Sequence, residues 1–185
     1  MIFLLDASQI SDEDYYAEKQ FVKDLAHHLN ISLKGPRASA VIYGSNPQTV
    51  AEFSDPDFQG KVDKAPHLKT PRRVDKALNH AAEVFNTMGR NGSKIVVFLM
   101  LGNQVAIKEP IGQAANRLRF LGARAYPIVV GTAPTNKALA AVVEKPQDIF
   151  RVSSTAFLSS KIEGVSKRSK FFLYIIAIEI LFFSF

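Results

Sequence analysis

Cysteine is absent from the 185-residue chain, which excludes a disulfide framework and any cysteine-ligated zinc site. Tryptophan is absent too, and methionine is limited to three residues. Equally missing are the starting motifs of nucleotide, dinucleotide and acyl-transfer chemistry: there is no Gly-x-Gly-x-x-Gly, no Walker-type loop and no Gly-x-Ser-x-Gly. Ser8 has no base beside it in the sequence that would make it a nucleophile. His27 and His28 are adjacent, so on a helix their side chains diverge by about 100°, and His67 and His80 stand apart. Zinc-binding helices place two histidines four apart on one face, and no such pair occurs; all four are read as structural. No enzyme is expected. The body also lacks a run of Lys and Arg interleaved with aromatics, so the net charge of +6 is read as a solvated basic surface and nucleic acid is not an expected partner.

What is present is the profile of one ordinary domain: 22% charged and 47% hydrophobic residues, in a length that buries a full core. Met1 is followed by Ile2-Phe3-Leu4-Leu5 and Asp6 with no basic n-region or small-residue cleavage site, which reads as a first core strand and not as a signal peptide. From Asp12 the period changes. Phe21, Val22, Leu25 and Leu29 mark one face of a helix with Ser11 as its N-cap. Ala38–Tyr43 and Thr49–Phe53 read as a strand pair of hairpin type, and residues 54–70 as a polar loop, with or without one helical turn. Val74, Ala77, Leu78, Ala81, Ala82 and Phe85 form a continuous stripe on a helix with Pro71 in its first turn. Lys94–Leu101 follows as a central strand after a turn at 90–93. A helix over 110–120, a strand over Ala125–Val130, a short helix over Ala138–Val143, a strand over Ile149–Val152 and a helix starting near Thr155 complete the pattern. Such alternation predicts a doubly wound α/β fold, with a mainly parallel sheet, one antiparallel edge strand and helices on both faces. The chain divides into a domain over 1–160, a basic polar spacer over 161–170 and an apolar tail over 171–185.

Phe3-Leu4-Leu5-Asp6-Ala7-Ser8, Phe21-Val22-Lys23-Asp24-Leu25, Ala40-Val41-Ile42-Tyr43-Gly44, Arg72-Arg73-Val74-Asp75-Lys76-Ala77-Leu78, Lys94 to Gly102 and Ile149-Phe150-Arg151-Val152 occur in the order and spacing of one family. Through these segments the chain resembles the von Willebrand factor A domain over roughly residues 1–160. That resemblance implies a Rossmann-like sheet with a metal-ion-dependent adhesion site at the carboxyl ends of its strands. Such a site holds magnesium with hard oxygen ligands from three loops. Here Asp6 and Ser8 match the first two ligands, but Ile10 stands where a second serine belongs. Val74 falls at the threonine position by its spacing to Ala77-Leu78, and Leu101 replaces the aspartate before Gly102. Three oxygen ligands have become apolar, so the site reads as degenerate and no cofactor, magnesium included, is expected. Thr70 is the one hydroxyl upstream that could complete a set with Asp6 and Ser8, although as an N-cap to a helix starting near Pro71 it has the simpler role.

The loops after the strands remain the expected contact surface, with Gln9, Arg72, Arg73, Asn103 and Gln104 as candidate binding residues. Asn30-Ile31-Ser32 and Asn91-Gly92-Ser93 fit the glycosylation acceptor pattern, making Asn30 and Asn91 candidate glycan sites. The tail at 171–185 is short for a spanning helix, which needs about 20 apolar residues. Its layout behind Ser159-Ser160 suits a lipid-anchor signal, and an inaccurate gene boundary accounts for it equally well. Together these features predict a non-catalytic protein-binding module of adhesion or matrix type. It would sit outside the cell or at its surface, with a matrix component or another such domain as partner. Two rival readings are a cytoplasmic scaffold of the same fold held to a membrane by the tail, and an adhesion domain binding magnesium atypically through Asp6, Ser8 and Thr70.

Overall fold

The computed structural model describes residues 1–89, 95–102, 110–131 and 139–169. Six strands form one sheet: β1 (Ile2–Asp6), β2 (Ser39–Tyr43), β3 (Gln48–Ala51), β4 (Ile95–Leu101), β5 (Ala123–Val130) and β6 (Phe150–Val152). Their order is β3-β2-β1-β4-β5-β6, parallel except for the β2–β3 pair. The expected doubly wound sheet with one antiparallel edge strand is therefore what the chain adopts. Chain order reverses between β1 and β4, and at that switch the carboxyl ends of two adjacent strands open a crevice.

Period-2 alternation along each strand builds two cores. Phe3, Leu5, Ile42, Phe98, Met100 and Ile128 pack on one face beneath α1 (Asp12–His28) and α2 (Phe58–Asp63). Ile2, Leu4, Val41, Leu99, Leu101 and Val129 face α3 (Val74–Met88) and α4 (Gly112–Phe120). Both faces of β1 and β4 are covered, which is why these strands read as unbroken apolar runs and not as alternating ones. Each large side chain removed from water there contributes roughly 1.5–3 kcal/mol.

The first helix begins as its sequence dictates: the Ser11 hydroxyl accepts from the Asp14 N–H, and three acids occupy the first turn. Elsewhere the structure departs from the expectations. The 54–70 loop contains α2, capped by Asp57 and anchored by Phe58 and Val62. The third helix starts at Val74 with Arg73 at its N-cap position and no side-chain cap, so Pro71 and Thr70 lie outside it. Residues 162–169 are helical, preceded by a 3₁₀ segment over Thr155–Lys161. Val165, Ser166 and Ser169 are buried, and Ile162 packs against the α1-side core. The described part of the expected spacer is thus a packed helix, because residues 162, 165, 166 and 169 form one small or apolar stripe among the charges. Asn91, Asn103, Gln104, the turn at 90–93 and the tail at 171–185 lie outside the described residues. Among the described residues no helix is long and apolar enough to cross a membrane.

Candidate functional site

The crevice at the β1–β4 switch is organised by Asp6. Its side chain is wholly buried at the end of β1. Oδ1 accepts from the Ser8 N–H at 3.2 Å, and Oδ2 accepts from the Gly102 N–H at 3.0 Å, which ties the β1 loop to the end of β4. A third donor arrives from the loop before α3: Nη1 of Arg72 lies 3.1 Å from Oδ2 and 3.3 Å from the Gly102 carbonyl. The Arg72 side chain is only 9% exposed, so a guanidinium is sunk into the crevice as an internal cation against the carboxylate.

Around this pair the walls are apolar or already committed. Ile10, on the α1-side core, abuts Gly102. Val74 and Leu101 are fully buried in the α3-side core with Leu4 and Tyr43. The residue that reaches Asp6 from the α3 approach is therefore Arg72, two positions before the Val74 that helix spacing assigns. Thr70 pairs with Ser8 in an isolated parallel bridge, and its Oγ1 accepts from the Ser45 N–H at 2.9 Å. It does not cap α3; it fixes the β2–β3 turn, where Gly44 leaves room for its hydroxyl.

Two further residues frame the site. Glu18, fully buried on α1, accepts from the Asp6 N–H through Oε2 at 3.0 Å, while Oε1 has no hydrogen-bond partner among the described residues. Burial pushes its carboxyl well above the usual range, and the neighbouring Asp6 charge adds to that. The sequence signal for it is an acid inside the stripe Tyr15, Glu18, Val22 and Leu25. His67 stacks on Tyr15 with ring centroids 4.6 Å apart. Its Nε2 donates to the Ser8 carbonyl at 2.8 Å, and Nδ1 meets Asp12 Oδ1 at 2.7 Å. Neither was picked out by motif, because each acts on the loop and not on a ligand.

The other candidate residues are scattered in their roles. Gln9 is exposed beside the crevice. Arg73 is 43% exposed and pairs with Asp75 at 2.6 Å. Arg72 is turned inward, which leaves little of it to offer a partner directly. Asn30 is exposed just beyond α1 with φ of 55°, a left-handed position that asparagine tolerates.

Magnesium asks for near-octahedral oxygen coordination. The residues here do not fit that demand: the Asp6 carboxylate is held by two amides and a guanidinium, and the aliphatic side chains of Ile10, Val74 and Leu101 line the neighbouring positions. Among the described residues no group of three or more His, Cys, Asp or Glu side chains could hold a metal ion.

Fold and crevice together define a doubly wound α/β domain with a loop-built site at the strand ends. Residues 1–164 match the von Willebrand factor type A domain, and the chain belongs to that family. Among curated proteins none matches the chain. Solved structures that share the fold include proximal thread matrix protein 1 from the mussel byssus, at TM-score 0.80 and 19% identity over 89% of this chain. The same protein with a zinc-occupied metal-ion-dependent adhesion site superposes with TM-score 0.79 at the same identity and coverage. This chain spans about half of that protein, 45–46% of its length.

Proposed function

We propose that the chain is a non-catalytic protein-binding module of the adhesion or extracellular-matrix type, and that it holds its partner without a divalent cation. The observation that carries this reading is the Arg72 guanidinium, which supplies positive charge to Asp6 where family members place a metal. A tethered cation cannot be removed by chelation, and a carboxylate so engaged is a poor competitor for a hydrated ion. The surface for a partner is then the rim of the crevice, where Gln9 and Arg73 are exposed. Membership of the family and the matrix origin of a protein sharing the fold support an adhesive role outside the cell or at its surface. Another protein, such as a matrix component or a second domain of this type, is the expected partner.

The competing reading, magnesium held by Asp6, Ser8 and Thr70, has against it that the Thr70 hydroxyl oxygen already accepts from the Ser45 N–H. Isothermal titration with magnesium and manganese separates the two. No heat of binding, together with capture of fibrous matrix protein that is unchanged in EDTA, is the expected result. Saturable ion binding that is lost in Asp6→Asn would overturn the cation-free reading. A cytoplasmic, tail-held scaffold is distinguished by expressing the full chain with a secretory leader and testing whether Asn30 is glycosylated in the folded, partner-competent product.

A further inference from the structure

At the opposite end of the sheet, where β5 and β6 begin, a cleft of about 380 Å³ is lined by Arg124, Tyr126, Lys145, Asp148, Lys167 and Arg168. Its floor is Asp148, which is 1% exposed. Asp148 Oδ2 accepts from Arg124 Nη2 at 2.9 Å, and Oδ1 accepts from Arg168 Nη1 at 3.4 Å. The two guanidinium groups are further steadied by aromatic rings, Arg124 over Tyr126 and Arg168 over Phe150. Lys145 and Lys167 stand exposed on the rim. The outlying acids are Glu144, 3.8 Å from Arg124, and Glu163, paired with Lys167; both are well exposed. Four cations thus converge on a concavity that contains one carboxylate, and that carboxylate holds two of them in place before any ligand arrives. Preorganised cations in a concave site are the chemistry that recognises an oxyanion bearing several acceptors, as in a phosphate ester.

The position of the cleft selects among sources of phosphate. Lys167 and Arg168 belong to the sequence Lys167-Arg168-Ser169-Lys170, which is followed directly by the apolar run 171–185. Basic residues immediately beside an apolar segment are the pattern that engages anionic lipid headgroups. We infer that this cleft binds the phosphate group of an anionic phospholipid. The domain would then be seated with the Asp6 crevice facing away, since the two lie at opposite ends of parallel strands, roughly 25 Å apart for an eight-residue strand. This inference is independent of how the crevice works; because anionic headgroups line the cytoplasmic leaflet, it goes with the tail-held cytoplasmic placement and not with the extracellular one.

The full chain is tested against phosphatidylcholine vesicles and against mixed phosphatidylcholine–phosphatidylserine vesicles, comparing wild type with Lys145→Gln/Lys167→Gln, a pair that touches neither Asp148 contact. Wild type should favour the mixed vesicles, and the double variant should lose roughly 25-fold of that affinity, each cation near an anionic surface being worth about fivefold. Its binding to the neutral vesicles should be unchanged. In parallel, inorganic phosphate should perturb the amide resonances of Arg124, Asp148 and Arg168. Equal affinity of wild type for both vesicle types would overturn the inference. So would phosphate perturbation without any vesicle preference, or a sulfated polysaccharide outcompeting the mixed vesicles.

Discussion

Ile10 and Gly102 meet across the mouth of the crevice so closely that a Cβ on Gly102 would lie 2.6 Å from Ile10 Cγ2. An isoleucine in the β1 loop therefore requires glycine at the end of β4. Gly102→Ala should destabilise the domain by about 1–3 kcal/mol, the usual cost of overfilling a packed contact. Ile10→Ala in the same chain should recover much of that loss. Urea unfolding of the two single variants and the double gives the coupling; strict additivity would show that the contact is not what makes Gly102 necessary.

The Arg72–Asp6 pair predicts an asymmetry. Arg72→Met leaves a buried carboxylate with two amide donors and no cation, and should cost on the order of 3 kcal/mol. Adding Asp6→Asn removes the charge that needed neutralising, so the double variant should be more stable than Arg72→Met alone. If Arg72→Met unfolds at the same denaturant concentration as wild type, the guanidinium is not the internal counter-charge.

Glu18 gives the stability a pH dependence of definite sign. Its folded-state carboxyl is shifted upward by burial and by the Asp6 charge. Over pH values above the unfolded carboxyl range and below the folded one, the native state holds a proton that the unfolded state has released, so stability falls as pH rises. Below the unfolded range both states are protonated and the penalty vanishes. Glu18→Gln should therefore be more stable than wild type at pH 7, with the gap closing as the solution is acidified toward pH 4. Thermal unfolding across that range checks it; a gap that widens on acidification would contradict the assignment.

Thr70 is expected to matter for the turn and not for an ion. Thr70→Val strips the acceptor from the part-buried Ser45 N–H and should cost about 1–2 kcal/mol, whereas Thr70→Ser should retain most of the stability. Magnesium titration should give the same trace for both. A magnesium response present in wild type and missing in Thr70→Val would restore Thr70 as a ligand.

Much of the fold was legible because its signals are local. The Ser11 cap and the stripe from Val74 to Phe85 are short-range patterns, and so are the unbroken apolar runs of β1 and β4. The position and extent of the short α2 helix within 54–70 were not legible because two apolar residues, Phe58 and Val62, carry it among turn formers. The helix over 162–169 was hidden by composition: its charges are conspicuous and its stripe relies on two serines. In the crevice the departures at 10 and 101 could be read directly. The role of Arg72 could not, since spacing to Ala77-Leu78 points to Val74, and only the path of the loop before α3 brings the guanidinium to Asp6. Glu18 lay in plain view as an acid on an apolar stripe, but its target is a backbone amide, which no motif records.

Both margins of the sheet are short. β6 has three residues, and β3 has four with an irregular register against β2 at Ala40/Val41. Stubby, interrupted borders resist strand-to-strand annealing between molecules. A material assembled from many copies of this chain would thus be knitted through loop and helix contacts, reversible and side-chain specific, and would not spread as a continuous hydrogen-bonded ribbon.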